Sequence, residues 1–220
     1  MKKLLITIDG PAGAGKTTVS RSLAARLGYK YVDTGALYRA IAFEAISRNI
    51  PQDDSNALEK IFPKLDIKLK TEANGSPKIL NGHKDITEFV RSPEVSMAAS
   101  KISAMPAVRE FLLDLQKNLG NEKEAVFEGR DMGTVVFPNA DLKFFLDADI
   151  EARAMRRFGD LGGTHPLDEI REDIRTRDEN DRNRAIAPLK QADDAVVVDS
   201  TNMSISEVVE FMAAEAVKMM

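Results

Sequence analysis

Cysteine is absent from all 220 residues, so neither a disulfide nor a thiolate metal site can form. Long apolar runs are absent too. No stretch approaches the roughly 18 residues that a membrane-spanning helix needs. The apolar segment after Met1-Lys2-Lys3 stops at Asp9, shorter than the h-region of about 7 residues or more that a secretory signal carries. Charge of one sign is also missing. The 31 Lys and Arg stand against 35 Asp and Glu, which leaves −4 and no broad basic field to gather nucleic acid or an anionic membrane. An anionic ligand must therefore be gripped locally. Internal repeats, linkers and low-complexity tracts are lacking as well. The expectation is a soluble cytoplasmic protein with small-molecule partners, no nucleic acid and no membrane.

What is present is concentrated near the start. A short apolar strand runs into Gly10-Pro11-Ala12-Gly13-Ala14-Gly15-Lys16-Thr17, followed by Thr18. This is the G-x-x-x-x-G-K-[ST] phosphate-binding loop. In such a loop backbone N–H groups converge on one point, the following helix presents its positive end there, and Lys16 adds a full charge for the β- and γ-phosphates. The Thr17 hydroxyl suits Mg²⁺. Leu4, Leu5, Ile6 and Ile8 read as a buried strand before the loop, and Val19, Leu23, Ala24 and Leu27 recur at helical spacing after it. Gly10 through Thr18 are therefore the candidate ATP-binding residues.

Hydrophobic residues make up 43% of the chain, enough for one full core and a small appended lobe. Strands are expected at 4–8, 29–32, 124–128, 142–146 and 195–199. Helices are expected at 16–27, 35–48, 93–104, 106–119, 150–158, 166–184 and 204–219, the last opened by a Ser204/Glu207 capping box. Strands and helices alternating in this way predict an α/β fold. Its five-stranded parallel sheet is flanked by helices and takes ligands at the strands' carboxyl ends. Residues 63–91 break the pattern. Leu65, Ile67 and Leu69 alternate with polar residues, and Asn74-Gly75 and Asn81-Gly82 read as hairpin turns, which predicts a three-stranded antiparallel insert. On pattern alone this insert could flank the catalytic face or merely decorate the surface.

Residues 151–184 hold eight Arg, nine Asp or Glu and no Lys. Pairs such as Asp173/Arg177 and Asp178/Arg182 at i,i+4 could stitch an exposed helix. Exclusive use of Arg also suits phosphoryl oxygens, which a planar guanidinium clamps in a fork. Gly159 to Pro166 resembles the hinge of a lid that brings Arg153, Arg156 or Arg157 onto ATP. Arg177, Asp181 and Arg184 share one helix face, where a second phosphate and a ribose could be held. Glu128-Gly129-Arg130-Asp131-Met132-Gly133 follows a strand beside the phosphate loop. Its Arg-Asp pair is open to two readings, an ion pair of the fold or a substrate contact. Asn-Lys-x-Asp is absent, which speaks against a guanine-specific switch. A nucleotide-dependent binding module and a kinase for UMP or another small acceptor remain the competing classes.

Asp9-Gly10-Pro11, Asp33-Thr34-Gly35-Ala36-Leu37-Tyr38-Arg39, Gly129-Arg130-Asp131-Met132-Gly133-Thr134-Val135-Val136-Phe137-Pro138 and Arg177-Asp178-Glu179-Asn180-Asp181-Arg182-Asn183-Arg184 together resemble the bacterial cytidylate kinases almost end to end. The resemblance implies phosphoryl transfer from ATP, with Mg²⁺, to CMP or dCMP by a monomer. That monomer would have a core (1–62, 92–150 and 185–220), a CMP-binding insert (63–91) and a lid (151–184). It implies Lys16, Arg130, Arg157, Arg177 and Arg184 as catalytic groups. Arg39, Arg130, Arg177 and Arg184 would surround the CMP phosphate, and Asp181 would hold the sugar hydroxyls. Ser100, Arg109 and Asp131 would read cytosine, with Thr34 and Tyr38 beside them. Thr17 is the one metal ligand the sequence offers. No carboxylate partner for it can be named among Asp33, Asp131 and Asp147.

Overall fold

A computed structural model describes residues 2–71 and 77–220. In chain order the elements are β1 (Leu5–Asp9), α1 (Lys16–Leu27), β2 (Lys30–Asp33), α2 (Thr34–Ser47), α3 (Ser55–Glu59), β3 (Ile67–Thr71), β4 (Pro77–Asn81), β5 (Lys84–Asp85), α4 (Pro93–Ile102), α5 (Pro106–Gly120), β6 (Ala125–Gly129), β7 (Leu142–Asp147), α6 (Ile150–Asp160), α7 (Leu167–Asn183), β8 (Val196–Asp199) and α8 (Ile205–Met219). They divide into two compact units, Met1–Tyr31 with Glu122–Met220, and Val32–Asn121. The second unit thus extends well beyond the insert at 63–91.

In the first unit, β1 pairs in parallel with β6 on one side and β7 on the other, and β7 pairs with β8. The full sheet order is β2-β6-β1-β7-β8. All five residues of β1 are buried, as expected of a central strand covered on both faces. α1 and α8 cover part of it: Val19, Leu23, Val208, Met212 and Ala216 share one core with Leu4, Ile6, Ile8, Val126 and Phe144. α8 starts as the sequence predicts. The Ser204 side chain accepts from Glu207 N, and the Glu207 carboxylate accepts from Ser204 N. Between β1 and α1 the chain turns at Gly10, where φ is +152° and a β-carbon would lie 2.0 Å from the Leu146 carbonyl oxygen of β7. Only glycine fits that approach.

The second unit packs α2, α4 and α5 around Leu37, Ile41, Val95, Ile102, Val108 and Leu112. Ile67 of β3, Ile79 of β4 and the nearby Ile86 join the same core. Asn81 Nδ2 donates to Glu44 Oε1 of α2 at 2.8 Å. The small antiparallel sheet, β3-β4-β5, is therefore a structural wall of this unit and not a surface decoration. The second predicted turn slips by one residue. Asn81 pairs with Lys84, so the two loop positions are Gly82 and His83, and only Gly82 has positive φ, +60°. That pattern identifies a II′ turn. The predicted Asn74-Gly75 turn lies outside the described residues.

The other boundaries move by one or two residues. The exceptions are α3, which was not expected, and the segment after Asp131. There Val136 N donates to Asp131 O and Phe137 N to Met132 O, five residues apart, forming a π-helical turn over Met132–Val136.

Candidate active site

The phosphate loop is built by the tight exit from β1 and by the helix start at Lys16. Lys16 is buried, and its Nζ donates to the Pro11 carbonyl of the same loop at 2.5 Å. Burial pushes its proton affinity well below that of an ordinary lysine, and Arg130 and Arg177 push it the same way. Glu128 and Asp181 oppose them. A phosphate entering here would favour the charged form of Lys16.

Glu128 is the residue the motif reading passed over. It sits near the end of β6, buried, with Oε1 accepting from the Thr17 hydroxyl at 2.9 Å and from the Tyr31 hydroxyl at 2.6 Å. A carboxylate in an otherwise apolar buried strand was the available signal. Thr17 and Glu128 form a hard oxygen pair, the donor set Mg²⁺ takes from a protein when substrate phosphates and water supply the rest. Among the described residues, no group of three or more His, Cys, Asp or Glu forms a metal cage, and this chemistry requires none. The other carboxylates considered are occupied. Asp33 caps α2 at Ala36 N and bonds Arg39 at 2.7 Å, Asp131 faces Arg184, and Asp147 accepts from Ala148 N.

Beyond β6 the structure brings four expected residues together. Arg130 Nε donates to Asp181 Oδ2 at 2.7 Å, and Arg184 Nη2 donates to Asp131 Oδ1 at 3.3 Å. Arg184 Nη1 also lies 3.9 Å from Asp181 Oδ1. Burial pushes the Asp181 carboxyl up, but Arg130, Arg177 and Arg184 outweigh it and hold the group below the usual range. The Arg130-Asp131 pair of the sequence is thus split, each partner bonding to the α7 end of the network. Asp9 anchors the same segment. Its carboxylate accepts from Met132 N at 2.9 Å and Gly133 N at 2.8 Å, and burial raises its pKa to about 6.

The three arginines of α6 separate. Arg153 is buried against the phosphate loop, Arg156 donates to Ser200 O and Oγ, and Arg157 is exposed. Asp178, expected to pair along its helix with Arg182, instead turns inward to Arg153. The helix face is amphipathic, and Ile170 and Ile174 bury the Asp178 side rather than leaving it to water. In the second unit, the Arg109 guanidinium lies 5.7 Å from the Tyr38 ring centroid and donates to Ser103 O at 3.1 Å. Ser103 Oγ in turn bonds the Ser100 carbonyl. Arg39, Tyr38, Ser100 and Arg109 all belong to this unit, as does Thr34, the first residue of α2.

A phosphate loop at the carboxyl end of a parallel sheet, with a buried arginine and carboxylate network after the neighbouring strand, defines a P-loop kinase. Residues 6–218 match the family described as cytidylate kinase, and the chain belongs to that family. A cytidylate kinase of Caldicellulosiruptor saccharolyticus is 45% identical over 213 residues, covering 96% of this chain and 94% of the relative. One of Pasteurella multocida is 45% identical over 210 residues, covering 94% and 92%. Among solved structures, a gluconokinase from Sinorhizobium meliloti superposes with a TM-score of 0.51 at 15% identity, covering 98% of this chain and 93% of that one. A shikimate kinase from Bacteroides thetaiotaomicron gives 0.50 at 14%, covering 99% of each. These two share the fold alone. No helix among the described residues is long and apolar enough to cross a membrane.

Proposed function

We propose that this protein transfers the γ-phosphoryl group of ATP to CMP, and to dCMP, giving ADP and CDP or dCDP. The observation that carries the reading is the buried network after β6, the strand paired with β1, in which Arg130 holds Asp181 and Arg184 holds Asp131. Phosphoryl transfer needs positioning and dispersed positive charge and little covalent chemistry. Family membership supports the choice of CMP as acceptor.

In this reading Gly10 to Thr18 hold ATP, and Lys16, Arg130, Arg157, Arg177 and Arg184 stabilise charge on the transferring group. Thr17 and Glu128 would hold Mg²⁺, which would neutralise phosphate charge when bound. Arg39, Arg130, Arg177 and Arg184 receive the CMP phosphate, and Asp181 takes the sugar hydroxyls. Asp131, Ser100 and Arg109 read the base, with Thr34 and Tyr38 lining the site. Cytosine offers an amino donor at N4 beside acceptors at N3 and O2, which suits a carboxylate next to a guanidinium. Uracil reverses the first two and leaves buried groups opposed. Residues 63–91 serve as the CMP-binding insert; of the expected lid at 151–184, the exposed stretch from Arg157 to Pro166 closes to exclude water, since Arg153 and Asp178 are held on the phosphate loop. The protein works as a cytoplasmic monomer.

The deciding experiment is ADP release by purified protein with ATP and each of CMP, dCMP, UMP and AMP. Turnover should depend on CMP or dCMP. ADP release indifferent to the added monophosphate, or highest with UMP or AMP, overturns the assignment.

A further inference from the structure

Ala12, in the middle of the phosphate loop, has both of its backbone polar groups held by one buried ion pair. Its N–H donates to Asp178 Oδ1 of α7 at 2.9 Å, and its carbonyl accepts from Arg153 Nη1 of α6 at 2.9 Å. The same Nη1 donates to Asp178 Oδ2 at 2.5 Å, and Arg153 Nε donates to Ala148 O just beyond β7 at 2.9 Å. The two side chains are 7% and 4% exposed, so the contacts are dry. The Ala12 methyl lies in an apolar cluster with Ala154, Ile170 and Ile174. A β-carbon at the next residue, Gly13, would stand 3.1 Å from Arg153 O and 3.2 Å from Arg153 Cβ. The loop therefore rests directly on α6.

A buried ion pair is weak evidence for stability, because apolar residues of like volume often replace one at little cost or with a gain. Apolar residues cannot satisfy a peptide N–H and C=O in a dry site. We infer that Arg153 and Asp178 are positioning residues for the donor site: they clamp the Ala12 peptide so that the remaining loop amides stay aimed at the ATP phosphates. The clamp acts between Gly10 and Gly13, both at positive φ. It also ties the loop to α7, which carries Arg177 and Asp181 and ends just before Arg184. Ala12 itself offers phosphate no amide. Its part in ATP binding is the shape of the loop.

This inference rests on the reading of the loop as an ATP site, and the test separates the two. The double variant Arg153→Met with Asp178→Leu removes both charges and leaves the site apolar. It should fold, with some loss of stability from the unpaired Ala12 groups, bind a non-hydrolysable ATP analogue at least ~10-fold more weakly by calorimetry, and show a similar rise in the KM for ATP with a smaller change in kcat. Hydrogen exchange at the Ala12 amide, slow in the wild type, should become fast. A double variant with wild-type analogue affinity and a protected Ala12 amide overturns the clamp and leaves the pair as part of the fold. If the double variant does not fold, Asp178→Asn decides. It keeps an oxygen for the Ala12 N–H but removes the charge facing Arg153, so it should loosen the Ala12 amide and weaken analogue binding, and no change in either overturns the inference. Wild-type protein that fails to bind the analogue defeats the ATP reading instead, while Ala12 exchange still reports on the clamp.

Discussion

Replacing Asp9 with Asn should change how stability depends on pH, and the sign follows from where the carboxylate sits. Asp9 closes β1 in a fully buried position, and burial is the largest influence on it, with the Asp131 charge acting in the same direction. The Gly133 and Met132 amides and Lys16 oppose these but do not win, so the group titrates near 6 in the fold against 3.8 as the ordinary value. A raised carboxyl pKa means that the folded state holds its proton after the unfolded chain has lost it. The stabilisation is thus complete below about pH 3.8 and is lost as pH rises to about 6. At about 1.4 kcal/mol per pH unit, the loss amounts to about 3 kcal/mol. Asn carries no proton to lose. It sets one amide group against a backbone N–H, a cost on the order of 1–3 kcal/mol that does not vary with pH. Urea unfolding followed by circular dichroism, for both proteins across this window, measures the difference. Wild-type stability minus variant stability should fall by about 3 kcal/mol between about pH 3 and about pH 7, about 2 kcal/mol of it between about pH 4 and about pH 6, and then level off. A difference that stays constant, or one that grows as pH rises, refutes the reasoning.

Two further outcomes concern the reaction. Lys16→Ala should leave the fold intact and cut turnover by orders of magnitude, because its charge matters most as charge develops on the transferring group; retention of more than about a tenth of the wild-type rate, only ~1.4 kcal/mol, contradicts that role. Asp131→Ala should lower kcat/KM for both CMP and UMP by releasing Arg184, which it holds at 3.3 Å. It should also lower the CMP/UMP ratio by ~30-fold or more through the lost contact to the cytosine amino group, and an unchanged ratio places base reading elsewhere.

Much of this architecture was legible because its signals are local. The strand, loop and helix around Lys16 and the capping box at Ser204 each depend on residues a few positions apart. So does the three-stranded insert, through its alternation and its glycine turn. What could not be read depends on partners distant in sequence. Asp178 looked like half of an i,i+4 surface pair because a helical pattern shows which residues share a face, not what covers that face. Its true partner, Arg153, lies 25 positions away, and the peptide they hold lies 166 positions from Asp178. Glu128 stood in plain view inside a motif, but its meaning required Thr17 and Tyr31 to arrive from two other elements. The π-helical turn after Asp131 has no periodic signature of its own. It exists because Asp9, at the end of a neighbouring strand, supplies acceptors for two amides at its start.

Gly10 and Gly15 are written with the same letter in the phosphate-loop motif, yet they carry different information. At Gly10 the restriction is imposed from outside by the Leu146 carbonyl, 2.0 Å from where a side chain would begin. At Gly15 nothing lies within 4 Å of that point, and the restriction is the residue's own φ of +88°. A stability readout of the unliganded protein would therefore separate them: Asn at position 15 should cost only the strain of its own backbone, whereas any substitution at position 10 should cost far more through the clash with β7. The first glycine of the motif is in effect a record of β7 written into β1. The loop consequently cannot be grafted as eight letters onto a scaffold whose neighbouring strand ends elsewhere.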